Sequence, residues 1–570
     1  MNEKISCVFY SNVPKNKNTT IGDALMNIIF EAKNIITMNP SKPMATHVAV
    51  NGDKIIAVGS LEETMAWGPH KVDKTFSGKF LMPGFVEGHS HSMEGTFWKK
   101  TYCGFLDRKD PEGKWWKGSK TSSALVDMLR EQEKKMSKPD TPLSGWGVDP
   151  IYFDSEKINR HLLDKVSKTR PIGIINASGH ILYVNTKALE LGGLARNGIN
   201  HPGIPLDEEG LPTGELKGPE AMVPISIHVG LGKDMLNADE DGVRGFGKLC
   251  VRAGVTTATD LANLLTDDTV EMLTRVTNDP KFPARIVPLR LFQGVTPEDL
   301  VTHIKELKDK STDQLRLGRI KVVVDGSIQG FTARLKWPGY FNKAPQGLWY
   351  VSPDQLKKVV ELTLKENIQI HTHTNGDQAT ELVLDTLEKA LLQNSSYDHR
   401  LTLQHCQLAS SSQFRRMQRL GMCVNLFANH IYFWGEEHVK KTVGPERAER
   451  MNSCRTAIES AVPFSIHSDA PVTPLGPLFT AWCAVNRLTI AGRVLGKHER
   501  ISVDQALRAI TLGAAYTLKL DGEIGSIEVG KKADFAVLDS DPYEVPPENL
   551  KDIKIWGTVQ GGRVFSVENI

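Results

Sequence analysis

Eight short apolar runs occur between residues 80 and 472, and they alternate with stretches that can form amphipathic helices. This alternation is typical of a parallel sheet whose strands are connected by helices. The predicted strands lie at 80–91, 255–262, 285–292, 319–327, 368–375, 401–407, 422–429 and 463–472. Because eight parallel strands can close into a (β/α)8 TIM barrel, we predict an α/β protein built on such a barrel.

The two ends of the chain have a similar pattern. Residues 27–59 contain short β-branched runs separated by Asn-Pro and Asn-Gly-Asp turns, and strands with glycine turns also close the chain. Such patterns are typical of antiparallel hairpins. We therefore predict a composite β-sandwich formed by residues 25–80 and 520–570, with the barrel at 81–519 between them. Residues 1–24 are predicted to be a flexible tail.

The connection between the first two predicted strands, residues 92–254, is too long for a single βα loop. It contains the apolar run PIGIINASGH and the acidic stretch GIPLDEEGLPTGELKGPE, which is rich in glycine and proline. We predict that residues 97–235 form an inserted α+β subdomain over the mouth of the barrel.

The charge balance excludes several classes of partner. Lys and Arg number 69 and Asp and Glu number 67, so the net charge of +2 favours a small-molecule ligand over nucleic acid.

The seven cysteines are scattered without a CxxC pair, as in a protein of a reducing compartment. No signal peptide and no run of eighteen apolar residues is evident, so we predict a cytoplasmic protein with no membrane partner.

Histidines and one aspartate occur at the ends of several predicted strands. His89 and His91 are two residues apart, so their side chains share one face of a strand with Cα atoms about 6–7 Å apart. His373, His405 and Asp469 lie at or near the ends of other strands, where TIM-barrel active sites form. Four imidazoles and a carboxylate suit zinc, with manganese, iron or cobalt also open.

Taken together, the motifs PGFVEGHSH, AGVTTATD, KVVVDGS, HTNGD, QHCQ, HSDAPV and VGKKADFAVLDSDP resemble the amidohydrolase superfamily. More narrowly, they resemble the subgroup that includes N-substituted formamide deformylases. The resemblance runs from about residue 27 to residue 565. It implies a metal-dependent hydrolase with a (β/α)8 barrel and a composite β-sandwich, and a homodimer.

The resemblance also implies that Lys321 reacts with carbon dioxide and bridges two metal ions as a carbamate. One ion would be held by His89, His91 and Asp469, and the other by His373 and His405. A buried lysine loses its charge readily, and its neutral amine is nucleophilic, which makes this modification chemically reasonable. The alternative is an unmodified Lys321 and a single ion.

On the two-metal interpretation, a metal-bound hydroxide attacks the carbonyl carbon of an amide. Asp469 would act as the general base that takes the hydroxide proton and returns it to the leaving amine. The alternative role for Asp469 is structural, as the cap of a turn before Ala470 and Pro471.

Two further positions are candidates for substrate contact. His180, which lies in the insertion, matches a Gly-His of the subgroup and would donate a hydrogen bond to the substrate carbonyl or an oxyanion; it could instead tie the insertion to the barrel. Trp98, with Phe97, Trp115 and Trp116, could line an apolar pocket or pack inside the subdomain.

Two other histidines, His371 and His467, lie two residues from predicted ligands. We predict that His371 belongs to the core, whereas the sequence leaves His467 open between the site and the core.

The predicted function is hydrolysis of a carbon–nitrogen bond other than a peptide bond, in an N-substituted amide or formamide. A deaminase or a lactone or ester hydrolase would use the same site. A non-catalytic scaffold is the alternative from another class, but its usual sign would be missing ligands, and every position here is filled.

Overall fold

The computed structural model describes residues 26–138, 140–153 and 157–570. The predicted tail at residues 1–24 lies outside the described residues.

The central sheet contains eight parallel strands, and each hydrogen-bonds to the strand that follows it in the chain. In chain order, barrel strands 1 to 8 are Phe85–Glu87, Val255–Asn263, Arg285–Leu291, Arg319–Val323, Gln369–Thr374, Thr402–His405, Cys423–Leu426 and Phe464–Ile466. All eight predicted strands are therefore confirmed, together with the α/β barrel class.

The first and last barrel strands meet just beyond their ends. Ser90 and Ala470 form a parallel bridge. The backbone amide of Asp469 donates to the carbonyl of His89 at 3.0 Å, and that of His91 donates to the carbonyl of Ala470 at 2.8 Å. These bonds close the barrel at the edge where the strands end, which is where TIM-barrel enzymes place their active sites.

Helices connect the barrel strands and also form part of the insertion. The α-helices are Leu61–Met65, Glu94–Phe97, Ser122–Lys134, Arg160–Asp164, Thr186–Leu191, Pro219–Ser226, Glu240–Arg252, Asp267–Thr277, Pro297–Asp309, Pro353–Lys365, Asp377–Gln393, Ser411–Arg419, Asn429–Glu437, Pro445–Ala448, Cys454–Glu459, Pro477–Asn486, Val503–Ala509 and Leu512–Thr517. Many begin at a Ser, Thr, Asp or Asn cap; the helix Pro353–Lys365, for example, has a capping box formed by Ser352 and Gln355. Among the described residues, no helix combines the length and apolar character that a membrane span requires.

Strands from both ends of the chain form one seven-stranded sheet. Its strands are Asn27–Ile36, Met44–Asn51, Lys54–Gly59, His70–Pro83, Phe535–Leu538, Ile555–Gln560 and Arg563–Ser566. Side chains from both ends share one apolar cluster, in which Phe30 and Phe76 pack with Phe535. This confirms that the termini assemble into one β-structure.

One boundary differs from the sequence prediction. Phe80–Pro83, predicted as the start of barrel strand 1, belongs to the terminal sheet, where it pairs with Phe535–Leu538. Barrel strand 1 begins only at Phe85. A continuous apolar run does not reveal that its two halves join different sheets, because the pairing partners are about 450 residues away in sequence. The predicted domain ranges themselves remain predictions.

The long connection after barrel strand 1 carries its own sheet. Its five strands are Thr101–Tyr102, Leu143–Val148, Ile172–Asn176, Ile181–Val184 and Glu215–Lys217. They pack with short helices around two apolar clusters separate from the barrel core. The insertion is therefore an α+β unit, as predicted.

A buried ion pair joins the barrel to the terminal sheet. The Arg285 guanidinium lies 2.7 Å from the Asp534 carboxylate, and the two side chains are 1% and 3% exposed. We expect Arg285→Met to lower the free energy of unfolding by about 3–5 kcal/mol, because the buried carboxylate loses its partner. Urea unfolding followed by circular dichroism measures this loss.

Lys42→Met is the matched control, since the Lys42–Glu63 pair is 42% and 55% exposed. We expect a change below about 1 kcal/mol there. Equal losses in the two variants would contradict a special contribution from the buried pair.

Candidate active site

The ends of barrel strands 1 and 8 place three predicted ligands together. The Nε2 atoms of His89 and His91 each lie 3.3 Å from Oδ1 of Asp469. These three side chains could hold one metal ion, because one ligand atom from each lies within 4.8 Å of the others. The structure thus brings together the first predicted ligand group.

Two strand-end residues adopt left-handed backbone conformations. Asp469 has φ 54° and His405 has φ 68°. Aspartate tolerates this region, but it is strained for most residues, and such strain persists mainly where the surrounding fold enforces it at functional sites. Both side chains line the cavity described below.

Barrel strands 4, 5 and 6 supply the remaining predicted ligands. The ring centroids of His373 and His405 are 4.4 Å apart. Neither ring nitrogen of His405 has a hydrogen-bond partner, and the same is true of Nζ of Lys321. Burial lowers the pKa of Lys321 to about 7, so its amine is readily neutral. The His373 Nε2 atom accepts from Nδ2 of Asn375 at 3.0 Å.

A chain of hydrogen bonds connects His89 to side chains of neighbouring barrel strands. Nδ1 of His89 donates to Oε1 of Gln404 at 2.7 Å, and Nε2 of Gln404 donates to Nδ1 of His371 at 2.7 Å. Nδ2 of Asn425 also donates to Oε1 of Gln404, at 3.0 Å. With its proton on Nδ1, His89 has Nε2 free to bind a metal ion, an arrangement that partners of ligating histidines commonly impose. His371 is fully buried in this layer, in keeping with the predicted core position.

Glu87 and Gln404 are functional neighbours that the sequence reasoning did not identify. The Glu87 carboxylate accepts from the amide and hydroxyl of Ser468, at 3.2 and 2.8 Å, and from the amide of His89 at 3.2 Å. Burial raises the pKa of Glu87 to about 8. The available signal was the position of each next to a ligand motif, two residues before His89 and one before His405.

His467, left open by the sequence, lies against the ligands. Its ring stacks on that of His89 at a centroid distance of 4.7 Å and lies 5.0 Å from that of His405. It is fully buried, and neither of its nitrogens has a hydrogen-bond partner. His89, His405 and His467 form a second group whose ligand atoms lie within 4.8 Å of one another.

The ligands form the floor of a large chamber of about 1100 Å³. Its lining is mainly apolar and comes from both the insertion and the barrel, including Phe97, Trp146, Met222, Leu236, Phe292 and Trp349. Chambers of this kind, apolar with a few convergent polar groups, are typical of small-molecule sites.

The insertion contributes His180 to this chamber. The imidazole centroid of His180 lies 5.1 Å from that of His373 and 5.5 Å from the ring of Tyr350. Burial lowers the pKa of His180 to about 4, so the ring is neutral at pH 7 and has one N–H to donate.

Of the four aromatic residues predicted to lie near the entrance, only Phe97 lines the chamber. Phe97 lines the chamber together with Trp146. Trp98 packs edge-on against Trp146, with ring centroids 4.9 Å apart, and its ring is tilted relative to that of Trp116 at 6.3 Å. Trp115 is 64% exposed. The structure therefore places Trp98 beside the wall residue Trp146, and its role in substrate binding stays a prediction.

These side chains fit a divalent metal. Neutral imidazoles, carboxylates and carbamates are ligands that zinc and related ions use. The buried nitrogens without partners on His405 and His467, and the free amine of Lys321, would otherwise be left unsatisfied. The geometry thus supports a metal-binding floor, with one or two ions and their identity left as predictions.

A family comparison matches residues 77–565 to the amidohydrolase family. N-substituted formamide deformylase of Arthrobacter pascens is 27% identical over 550 residues, which cover 93% of this chain and 96% of that protein. Protein LONG AFTER FAR-RED 3 of Arabidopsis thaliana is 24% identical over 543 residues, covering 93% of this chain and 90% of that protein.

Solved structures show the same fold. An uncharacterized metal-dependent hydrolase from Pyrococcus horikoshii has a TM-score of 0.68 at 20% identity, covering 91% of this chain and 99% of that chain. An adenosine deaminase from Xanthomonas campestris with bound zinc has a TM-score of 0.52 at 14% identity, covering 96% of this chain and 94% of that chain.

The family match covers most of the sequence and confirms the resemblance drawn from the motifs. It also confirms, at the level of the family, the prediction of a metal-dependent hydrolase acting on carbon–nitrogen bonds. The chain belongs to the amidohydrolase family.

Proposed function

We propose that this protein hydrolyses a carbon–nitrogen bond other than a peptide bond, in an N-substituted amide or formamide. The observation that carries the proposal is the convergence of all six predicted ligands on the floor of one apolar chamber. A relative that covers nearly the whole chain is named as an N-substituted formamide deformylase, and this supports the choice of substrate class.

The chain supplies binding groups suited to a divalent metal, and we propose zinc, as one or two ions. The ligands would be His89, His91, Lys321, His373, His405 and Asp469. Divalent ions held there would polarise the substrate carbonyl and acidify water.

The remaining chemistry belongs to the protein. The Asp469 carboxylate would accept the proton of the attacking water and pass it to the departing nitrogen, which cannot leave as an anion. The neutral imidazole of His180 would donate a hydrogen bond to the carbonyl oxygen as its negative charge develops. The apolar walls would hold the hydrocarbon part of the substrate and exclude bulk water.

Lys321 would act after carbamylation. Its neutral amine would add to carbon dioxide, forming an N–C bond and releasing one proton, so that the uncharged amine would become an anionic carbamate with oxygen atoms able to bind a metal. The missing hydrogen-bond partner of Nζ and the pKa of about 7 favour this reaction at neutral pH. We also propose that the protein is a homodimer and that it acts in the cytoplasm.

The substrate class is tested with purified, metal-loaded protein and a panel of amides, cyclic amidines and lactones. We expect release of amine or ammonia from amides. Chromatography detects the amine, and a coupled assay detects the ammonia. Activity confined to amidines or lactones would replace this proposal with the deaminase or lactonase alternative.

His91→Ala should reduce amide turnover at least about 100-fold, because the first ligand group loses one of its three members. The metal content per protein chain, measured by mass spectrometry, should be lower than in the wild-type protein. His498→Ala, which removes an exposed histidine far from the ligand motifs in sequence, is the control. Wild-type turnover and metal content in His91→Ala would remove His91 from the site.

Lys321→Ala should lower metal content and turnover, and short carboxylates such as acetate or propionate should partly restore both by replacing the carbamate oxygens. Lys310→Ala, at a half-exposed surface lysine, should change neither. Unchanged metal content in Lys321→Ala, with no effect of added carboxylates, would favour an unmodified lysine.

A further inference from the structure

One arginine of the insertion lies between the two loops that carry the first ligand group. Arg108 is buried in the short strand Arg108–Lys109. Its Nη2 atom donates to Oε1 of Glu94 at 2.7 Å and to the carbonyl of Thr473 at 3.3 Å, and its Nη1 atom donates to the carbonyl of Pro471 at 2.5 Å. We call these four residues the loop clamp.

Both loops of the clamp follow predicted ligands closely in the chain. Glu94 lies three residues after His91, and its backbone amide donates to the carbonyl of His91 at 3.2 Å. Pro471 and Thr473 lie two and four residues after Asp469. The guanidinium of Arg108 therefore holds the segment after Asp469 against the segment after His91.

The backbone around Asp469 needs support from its surroundings. Its φ of 54° is in the left-handed region, and such conformations persist when the surrounding structure enforces them. The backbone bonds that close the barrel extend to Ala470, and the clamp adds bonds to the next residue and to Thr473. Thr473 is in turn joined to the strand end, because its hydroxyl donates to the carbonyl of Ser468. A shift of this loop would therefore redirect the Asp469 carboxylate.

The clamp is suited to an arginine. The side chains of Arg108 and Glu94 are 6% and 2% exposed, and a guanidinium stays charged when buried and presents its N–H groups in a fixed planar fork. Cζ of Arg108 also lies 5.2 Å from the ring centroid of Trp146, which lines the chamber. Apolar residues often stabilise a fold as well as a buried ion pair does, so stability alone does not account for an arginine at this position.

We propose that Arg108 is a positioning residue and that the loop clamp fixes the Asp469 carboxylate relative to the imidazoles of His89 and His91. The inference rests on the proposed function, in which these three side chains hold a metal ion and Asp469 moves the proton. Arg108 is not among the residues that line the chamber, so it acts through the two loops. Precise placement matters, because a displacement of about 1 Å can lower a rate about 100-fold.

The test removes the clamp without leaving one buried charge alone. The double variant Arg108→Met/Glu94→Gln deletes both charges at similar size, which buried pairs often tolerate, and Glu94→Gln alone is the reference. Zinc transfer from the metal-loaded protein to an excess of a chromophoric chelator should be at least about 10-fold faster in the double variant than in the reference. The kcat for an N-substituted formamide should fall at least about 10-fold, with a smaller change in KM, because the base is displaced whereas the chamber walls remain.

A second ion pair of the insertion provides the matched control. Nη2 of Arg160 donates to Oδ2 of Asp207 at 2.7 Å, and its Nη1 donates to the carbonyl of Pro212 at 3.0 Å. This arginine also joins a carboxylate to a backbone carbonyl, but both partners lie within the insertion. Arg160→Met with Asp207→Asn should leave zinc transfer and kcat close to their wild-type values. Equally fast zinc transfer in both double variants would indicate a general loss of stability and would overturn the inference.

Arg108→Lys keeps the positive charge beside Glu94 but loses the planar fork that reaches both loops. It should retain the wild-type circular dichroism spectrum and transfer zinc at least about 3-fold faster than the wild type. A wild-type transfer rate in Arg108→Lys, or a rate in the double variant equal to that of the reference, would overturn the inference. Arg108→Lys also decides the question if the double variant fails to fold.

The inference and the proposed function can fail separately. If metal-loaded wild-type protein hydrolyses no amide or formamide, the proposed function fails, and the zinc-transfer rates still decide whether Arg108 positions the ligand group. If a formamide is hydrolysed but the loss of the clamp changes neither zinc transfer nor kcat, the proposed function stands and the inference fails.

Discussion

The site depends on the closure of the barrel between its first and last strands. Backbone hydrogen bonds from Asp469 to His89 and from His91 to Ala470, at 3.0 and 2.8 Å, hold the two strand ends in register. That register places the carboxylate of Asp469 3.3 Å from both histidine Nε2 atoms. The ligand group therefore follows from main-chain pairing between residues nearly 380 positions apart, and any shift of this pairing would separate the two histidines from the aspartate.

Burial then sets the protonation states that the chemistry needs. It lowers the pKa values of His373 and His405 well below their usual range, and it lowers that of Lys321 to about 7. Desolvation disfavours the charged form of each group. A neutral imidazole can bind a metal ion and a neutral amine can react with carbon dioxide, so the same buried environment that would destabilise these groups without ligands prepares them to bind a metal.

The insertion determines what can reach this floor. It supplies His180 and part of the apolar wall, including Trp146 and Met222, whereas the barrel supplies the ligands. One type of metal-binding floor can serve different substrates when such surrounding elements differ.

The sequence by itself determined the eight barrel strands, the joint origin of the terminal sheet, the insertion and the candidate ligands at the strand ends. These features are local: period, turn residues and the position of a histidine relative to its strand can be read within about ten residues. Only the tertiary structure decided that Phe80–Pro83 joins the terminal sheet, that His467 lies against His89, that Gln404 and Glu87 support the ligands, and that Trp98 packs beside the chamber wall. Each of these depends on contacts between distant strands and loops, and their distances and burial arise only when the barrel has closed. A local signal, such as the position of Glu87 and Gln404 beside a ligand motif, therefore marks a candidate but does not give its contacts.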